Sequence, residues 1–120
     1  MKNIAPHIYR QRLMIEAFYT IEVTKEMLDA YLRGVAEHLN LKIYGDPIIF
    51  SPATGMGKEE NQGFDAFVPL IDSGISAYVW SSSKFFSVLF YTCKSFDEQK
   101  AIEYTKDFFK VLPEFETMSF

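Results

Sequence analysis

The sequence predicts an α+β fold, a two-layer sandwich in which one antiparallel β-sheet carries two helices on a single face. Three observations carry this. Several runs alternate or cluster β-branched and aromatic residues, as in AFVPLID, ISAYVWS and KFFSVLFYTC, with breaks too short for parallel crossovers. Two other segments switch to a spacing of three and four. Each of these helical segments has one apolar stripe, so each can cover one side of a single sheet. A chain of 120 residues, 48% hydrophobic and 17% aromatic, fits one domain spanning 1–120.

In chain order the expected elements run β-α-β-β-β-β-α. HIYRQRLMIEAFYT, residues 7–20, reads as a long first strand with Leu13, Ile15 and Ala17 on one face and Met14, Glu16 and Phe18 on the other. From Thr24, a suitable N-cap, Met27, Leu28, Tyr31, Leu32, Val35 and Leu39 mark a helix ending near Asn40. LKIYGDPIIF returns to strand composition, with a bulge or turn at Gly45-Asp46-Pro47. SPATGMGKEENQG has three glycines, a proline and no period, which predicts an exposed loop over 51–63, long enough for a lid. Three strand-like runs follow, broken at Asp72-Ser73-Gly74 and at Ser81-Ser82-Ser83. Ser95-Phe96-Asp97-Glu98 fits a capping box before a stripe of Ala101, Ile102, Thr105, Phe108, Phe109 and Leu112, which Pro113 is expected to end.

Bulk properties narrow the function classes. The formal charge is −4 and the twelve Lys and Arg residues are scattered, which argues against nucleic acid as a partner. Apolar runs are short and the N-terminal segment lacks a signal-peptide core, so a soluble cytoplasmic protein without a membrane partner is expected. The single Cys93, with only His7 and His38 beside it in composition, does not build a usual zinc site, and no metal is expected. Both histidines read as surface or structural residues.

The informative stretch runs from Asp72 to Ser95. It holds an acid-serine pair at Asp72-Ser73, Tyr78-Val79-Trp80-Ser81, and Phe90-Tyr91-Thr92-Cys93, with twenty positions from Ser73 to Cys93. This pattern resembles the short, prokaryotic-type, pyruvoyl-dependent S-adenosylmethionine decarboxylases, whose motifs read Glu-Ser-His, His-Thr-Trp-Pro and Phe-Thr-Cys-Gly. The resemblance implies that the peptide bond between Asp72 and Ser73 is cut and that Ser73 becomes the pyruvoyl cofactor. It implies a proton-donor role for Cys93, S-adenosylmethionine or an analogue as the nucleoside ligand, and a homodimer. It also implies production of the aminopropyl donor for spermidine biosynthesis. A thiol with a pKa of about 8.5 serves as a general acid near neutral pH. Phe50, Phe64, Trp80 and Tyr91 are candidates to sandwich an adenine, and Glu16, Asp65 and Asp72 to bind ribose hydroxyls or the sulfonium.

The sequence departs from that pattern at three places around the serine. The family's processing histidine is Tyr78, the histidine after the serine is Gly74, and the proline after Trp80 is Ser81. An imidazole of pKa about 6.5 accepts a proton at neutral pH, whereas a phenol of pKa about 10 is a poor base and retains roles in hydrogen bonding or stacking. Two functional expectations therefore stand: a decarboxylase using Ser73, Cys93 and Tyr78, or an unprocessed, non-catalytic relative that binds a nucleoside or regulates a partner subunit.

Overall fold

The structure, a computed structural model, describes residues 1–52 and 56–120. Its elements are β1 (Gln11–Tyr19), α1 (Lys25–His38), β2 (Ile48–Phe50), β3 (Gly63–Leu70), β4 (Ser73–Trp80), β5 (Phe85–Thr92), α2 (Glu98–Phe109) and β6 (Val111–Ser119), with a 3-10 turn at Glu59–Asn61. Among the described residues the strands form one antiparallel sheet in the order β2-β3-β4-β5-β1-β6. The two-layer α+β architecture is as the sequence predicts, with one strand more.

Alternation decides which face each strand buries. Leu13, Ile15, Ala17 and Tyr19 of β1, Ile75, Ala77 and Val79 of β4, and Phe86, Val88 and Phe90 of β5 are buried beneath the helices. Thr24 caps α1 by accepting the Met27 N–H at 3.2 Å, and the helix buries Leu28, Tyr31, Leu32, Val35 and Ala36. Tyr31 stands at the centre of the layer, 4.8 Å from Phe109 between ring centroids, its hydroxyl 2.7 Å from Thr105 Oγ1. Thr105 in turn donates to the Ala101 carbonyl at 2.8 Å, so this buried polar pair is satisfied. Burial pushes the Tyr31 phenol well above its ordinary pKa, outweighing the opposing effect of its hydrogen bond with Thr105.

Four expectations about boundaries are corrected. The first strand begins at Gln11, not residue 7; residues 1–9 are mostly exposed and unpaired in the sheet. The cap of α2 is Asp97, which accepts the Lys100 N–H at 3.1 Å, rather than Ser95. Pro113 does not end α2: Lys110 does, with a left-handed φ of 50°. The chain then enters β6, where Pro113 falls in a register shift opposite Ala17 to Tyr19 at the sheet edge, the setting in which a residue without an N–H is tolerated. Finally, the turn between β3 and β4 is Ile71-Asp72, and Ser73 and Gly74 already belong to β4, opposite Thr92 and Tyr91.

Of the 51–63 loop, residues 51–52 and 56–61 are exposed, whereas Gln62 is half-buried and Gly63 is buried as the first residue of β3; the lid expectation rests partly on residues 53–55, outside the described residues. Ile48–Phe50 pairs with β3, while Ile43 makes only an isolated bridge to Leu70, so Gly45-Asp46-Pro47 separates them.

Candidate functional site

The β3–β4 hairpin and the end of β5 converge on Ser73 and Cys93. Ser73 Oγ lies 3.2 Å from Cys93 Sγ, and either atom can donate. The Cys93 backbone N–H donates to the Asp72 carbonyl at 2.8 Å, the carbonyl that precedes Ser73. Thr92, fully buried, fixes the strand end through a 2.7 Å bond from its hydroxyl to the Lys94 carbonyl. Lys94 Nζ donates to the Asn40 carbonyl at 3.1 Å, tying this loop to the end of α1. Ser73 has a φ of 120°, a conformation that side-chain-bearing residues rarely adopt and that stores strain. The site thus joins a strained serine, a thiol at hydrogen-bond distance and a polarised carbonyl.

Gly74 is fitted to the position of the Phe67 ring. A Cβ there would meet the Phe67 ring at 2.4 Å, so Phe67 occupies the space of a side chain at position 74. Phe67 escaped sequence reasoning, although a glycine inside a strand signals close approach by a neighbour.

The face of the sheet away from the helices is organised in rows by strand register. One row runs Gly74, Tyr91, Arg12. The next runs Phe67, Ser76, Leu89, Met14, Met118. A third, polar row runs Asp65, Tyr78, Ser87, Glu16, Glu116. Exposed Phe18, Phe67, Tyr78, Tyr91 and Met118 make much of this face apolar.

The other residues singled out by sequence are dispersed along it. Tyr78 stands five strand residues from Ser73, about 17 Å of extended chain, so one chain does not bring them together. Phe50 and Tyr78 line a cleft of about 400 Å³ with Ile48, Asp65, Phe67 and Ser76. Ser73, Cys93, Trp80 and Glu16 do not line it. Trp80 instead packs its ring 5.3 Å from Phe85 at the far end of the sheet, and Glu16 lies on β1 in the polar row. Among the described residues no cluster of His, Cys, Asp and Glu is arranged to hold a metal, and no helix is long and apolar enough to cross a membrane.

Comparison with curated proteins returns no match. The chain is similar in fold to the crystal structure of the adenosylmethionine decarboxylase from Aquifex aeolicus VF5, with a TM-score of 0.74 over 94% of this chain and 89% of that chain, at 16% identity. At that identity the likeness concerns the fold alone. The S-adenosylmethionine decarboxylase family model matches residues 13–114, which takes in most of β1, both helices and the Ser73–Cys93 hairpins. The chain belongs to the S-adenosylmethionine decarboxylase family.

Proposed function

We propose that this protein is a self-processing S-adenosylmethionine decarboxylase that derives its pyruvoyl group from Ser73. The observation that carries the reading is the Ser73–Cys93 contact of 3.2 Å beside the polarised Asp72 carbonyl. Ser73 Oγ attacks that carbonyl carbon, the Cys93 N–H stabilises the charge gathering on its oxygen, and the Asp72–Ser73 C–N bond breaks to leave an ester and a free amine. Loss of the Ser73 Cα proton then breaks its Cβ–Oγ bond and expels the new main-chain carboxylate of Asp72, and addition of water with release of ammonia leaves the carbonyl. The residues present fit such a group: strain at Ser73 is relieved by cleavage, and its hydroxyl is held at hydrogen-bond distance from the Cys93 thiol.

Once formed, a pyruvoyl carbonyl supplies an electron sink for the pair released as carbon dioxide leaves. Cys93 holds a proton at Sγ for delivery to the substrate carbon. The cleft beside Phe50 and Tyr78 offers aromatic faces and the Asp65 carboxylate to a nucleoside carrying a sulfonium charge. The product would be the aminopropyl donor of spermidine synthesis, made in the cytoplasm.

The distance between Ser73 and Tyr78 favours a homodimer. A second copy laid face to face, with its two-fold axis crossing the strands at Ser76, exchanges the levels of positions 74 and 78 and so sets Tyr78 of one copy one residue from the level of Ser73 of the other. That packing also covers the exposed aromatic face.

A second reading rests on Tyr78 itself, whose phenol is a weak base where the Ser73 Cα proton must be removed. In that reading the chain stays intact and binds a nucleoside or regulates a partner subunit. Intact mass of denatured, freshly purified protein separates the two. Fragments 1–72 and 73–120, the second blocked by pyruvoyl, are expected. A single chain that persists through prolonged incubation overturns self-processing and leaves the binding role.

A further inference from the structure

Arg12 is an anomaly on the open face of the sheet. Its Nε is buried without a hydrogen-bond partner among the described residues, and its guanidinium rests 5.2 Å from the centre of the Phe120 ring. A buried guanidinium donor left unmet is costly and points to an acceptor from elsewhere. Four residues along the same face of β1 lies Glu16, directly opposite Glu116 of β6. Two carboxylates in a cross-strand pair repel. Among the described residues the ion pairs are those of Arg33 with Asp29 and Asp46, so neither Arg12 nor Glu16 has an opposite charge at ion-pair distance. They do not serve each other either, being about 13 Å apart along the strand.

Register supplies the missing partner. Ser76, Leu89, Met14 and Met118 form one row across the sheet, so an axis crossing β4 beside Ser76 crosses β1 at Met14. Arg12 and Glu16 are equidistant from Met14. A rotation about that row exchanges the levels of positions 74 and 78, which sets Tyr78 of one copy one residue from the level of Ser73 of the other, and it places Arg12 of each copy over Glu16 of the other. Facing sheets pack about 10 Å apart, a gap that an extended Arg and an extended Glu side chain span together.

We propose that Arg12 forms a reciprocal intersubunit ion pair with Glu16 of a second copy, relieving the Glu16–Glu116 repulsion and fixing the register that brings Tyr78 to Ser73. This rests on the homodimer reading above. The occupant of the face is a second copy because Arg12 and the acidic row are complementary under that one rotation.

The test is sedimentation of the full chain at several concentrations for the parent, Arg12→Glu, Glu16→Arg, the double variant, and an equal mixture of the two single variants. The parent is expected to dimerise. Each single reversal places like charges together twice and weakens the dimer by at least about ten-fold. The double variant returns to within about three-fold of the parent. The mixture forms heterodimers in preference to either homodimer, because both pairs are then restored. Arg12→Gln and Glu16→Gln, with folding checked by circular dichroism, cover the case of a poorly folded reversal: each weakens the dimer, and the two together weaken it little further. A parent dimer indifferent to all these changes, or a mixture with no preference, overturns the ion pair and leaves the homodimer standing. A parent that stays monomeric overturns both.

Discussion

At Ser73 the backbone holds a φ of 120° while the side chain reaches Cys93, so the residue that would be consumed is also the one under strain. Strain of this kind costs on the order of 1–3 kcal/mol in a residue with a Cβ and much less in glycine. Ser73→Ala and Ser73→Gly both remove the hydroxyl and should both remain uncleaved. The glycine variant should resist denaturant more, by about 1 kcal/mol after its larger unfolded-state entropy is counted. Equal unfolding midpoints would show that the strain is not there. The neighbouring Gly74 has a different reason: the Phe67 ring takes the space of its missing side chain, so the two positions are one packing unit and a histidine at 74 needs that ring to turn aside or a smaller residue at 67.

At the scale of elements, ends were harder to place than bodies. The stripe of α1 and the alternation of β1 are dictated by burial of one face, and both stand as the sequence predicts. The start of α2 was read from the Ser95-to-Glu98 capping-box spacing, although Asp97, two residues on, is an equally good cap type. The geometry assigns Asp97. Asp97→Ala should therefore lower stability by about 1 kcal/mol in thermal or chemical unfolding, and Ser95→Ala should change it little. The reverse order would move the cap. β6 was not expected, because Pro113 reads as a terminator unless the strand is known to lie at an edge.

For the whole molecule the decisive quantity is the spacing of Ser73 and Tyr78. Residues five apart in a strand look local in sequence yet stand about 17 Å apart, farther than any proton transfer. If position 78 acts on Ser73 from a second copy, Tyr78→His should accelerate cleavage of the Asp72–Ser73 bond by at least about a hundred-fold, the usual worth of a positioned base. The gain should fade on dilution below the dimer dissociation constant. Cleavage that is faster but independent of concentration would place the histidine's action within one chain. No acceleration would implicate Gly74 or the wider cleft.

The sequence by itself determined the layers, the faces that are buried, and the family, because alternation, the three-four period and the Ser73 to Cys93 spacing are local patterns that one stretch of chain carries. It did not reveal that Ser73 and Cys93 touch, that Phe67 fills the place of a side chain at 74, or that the Arg12 Nε is buried without a hydrogen-bond partner among the described residues. Those facts are set by the register between strands distant in sequence. In a sheet, register decides which side chains are neighbours, and a slip of one residue would turn each strand's buried set to the other face. Only the folded sheet fixes it.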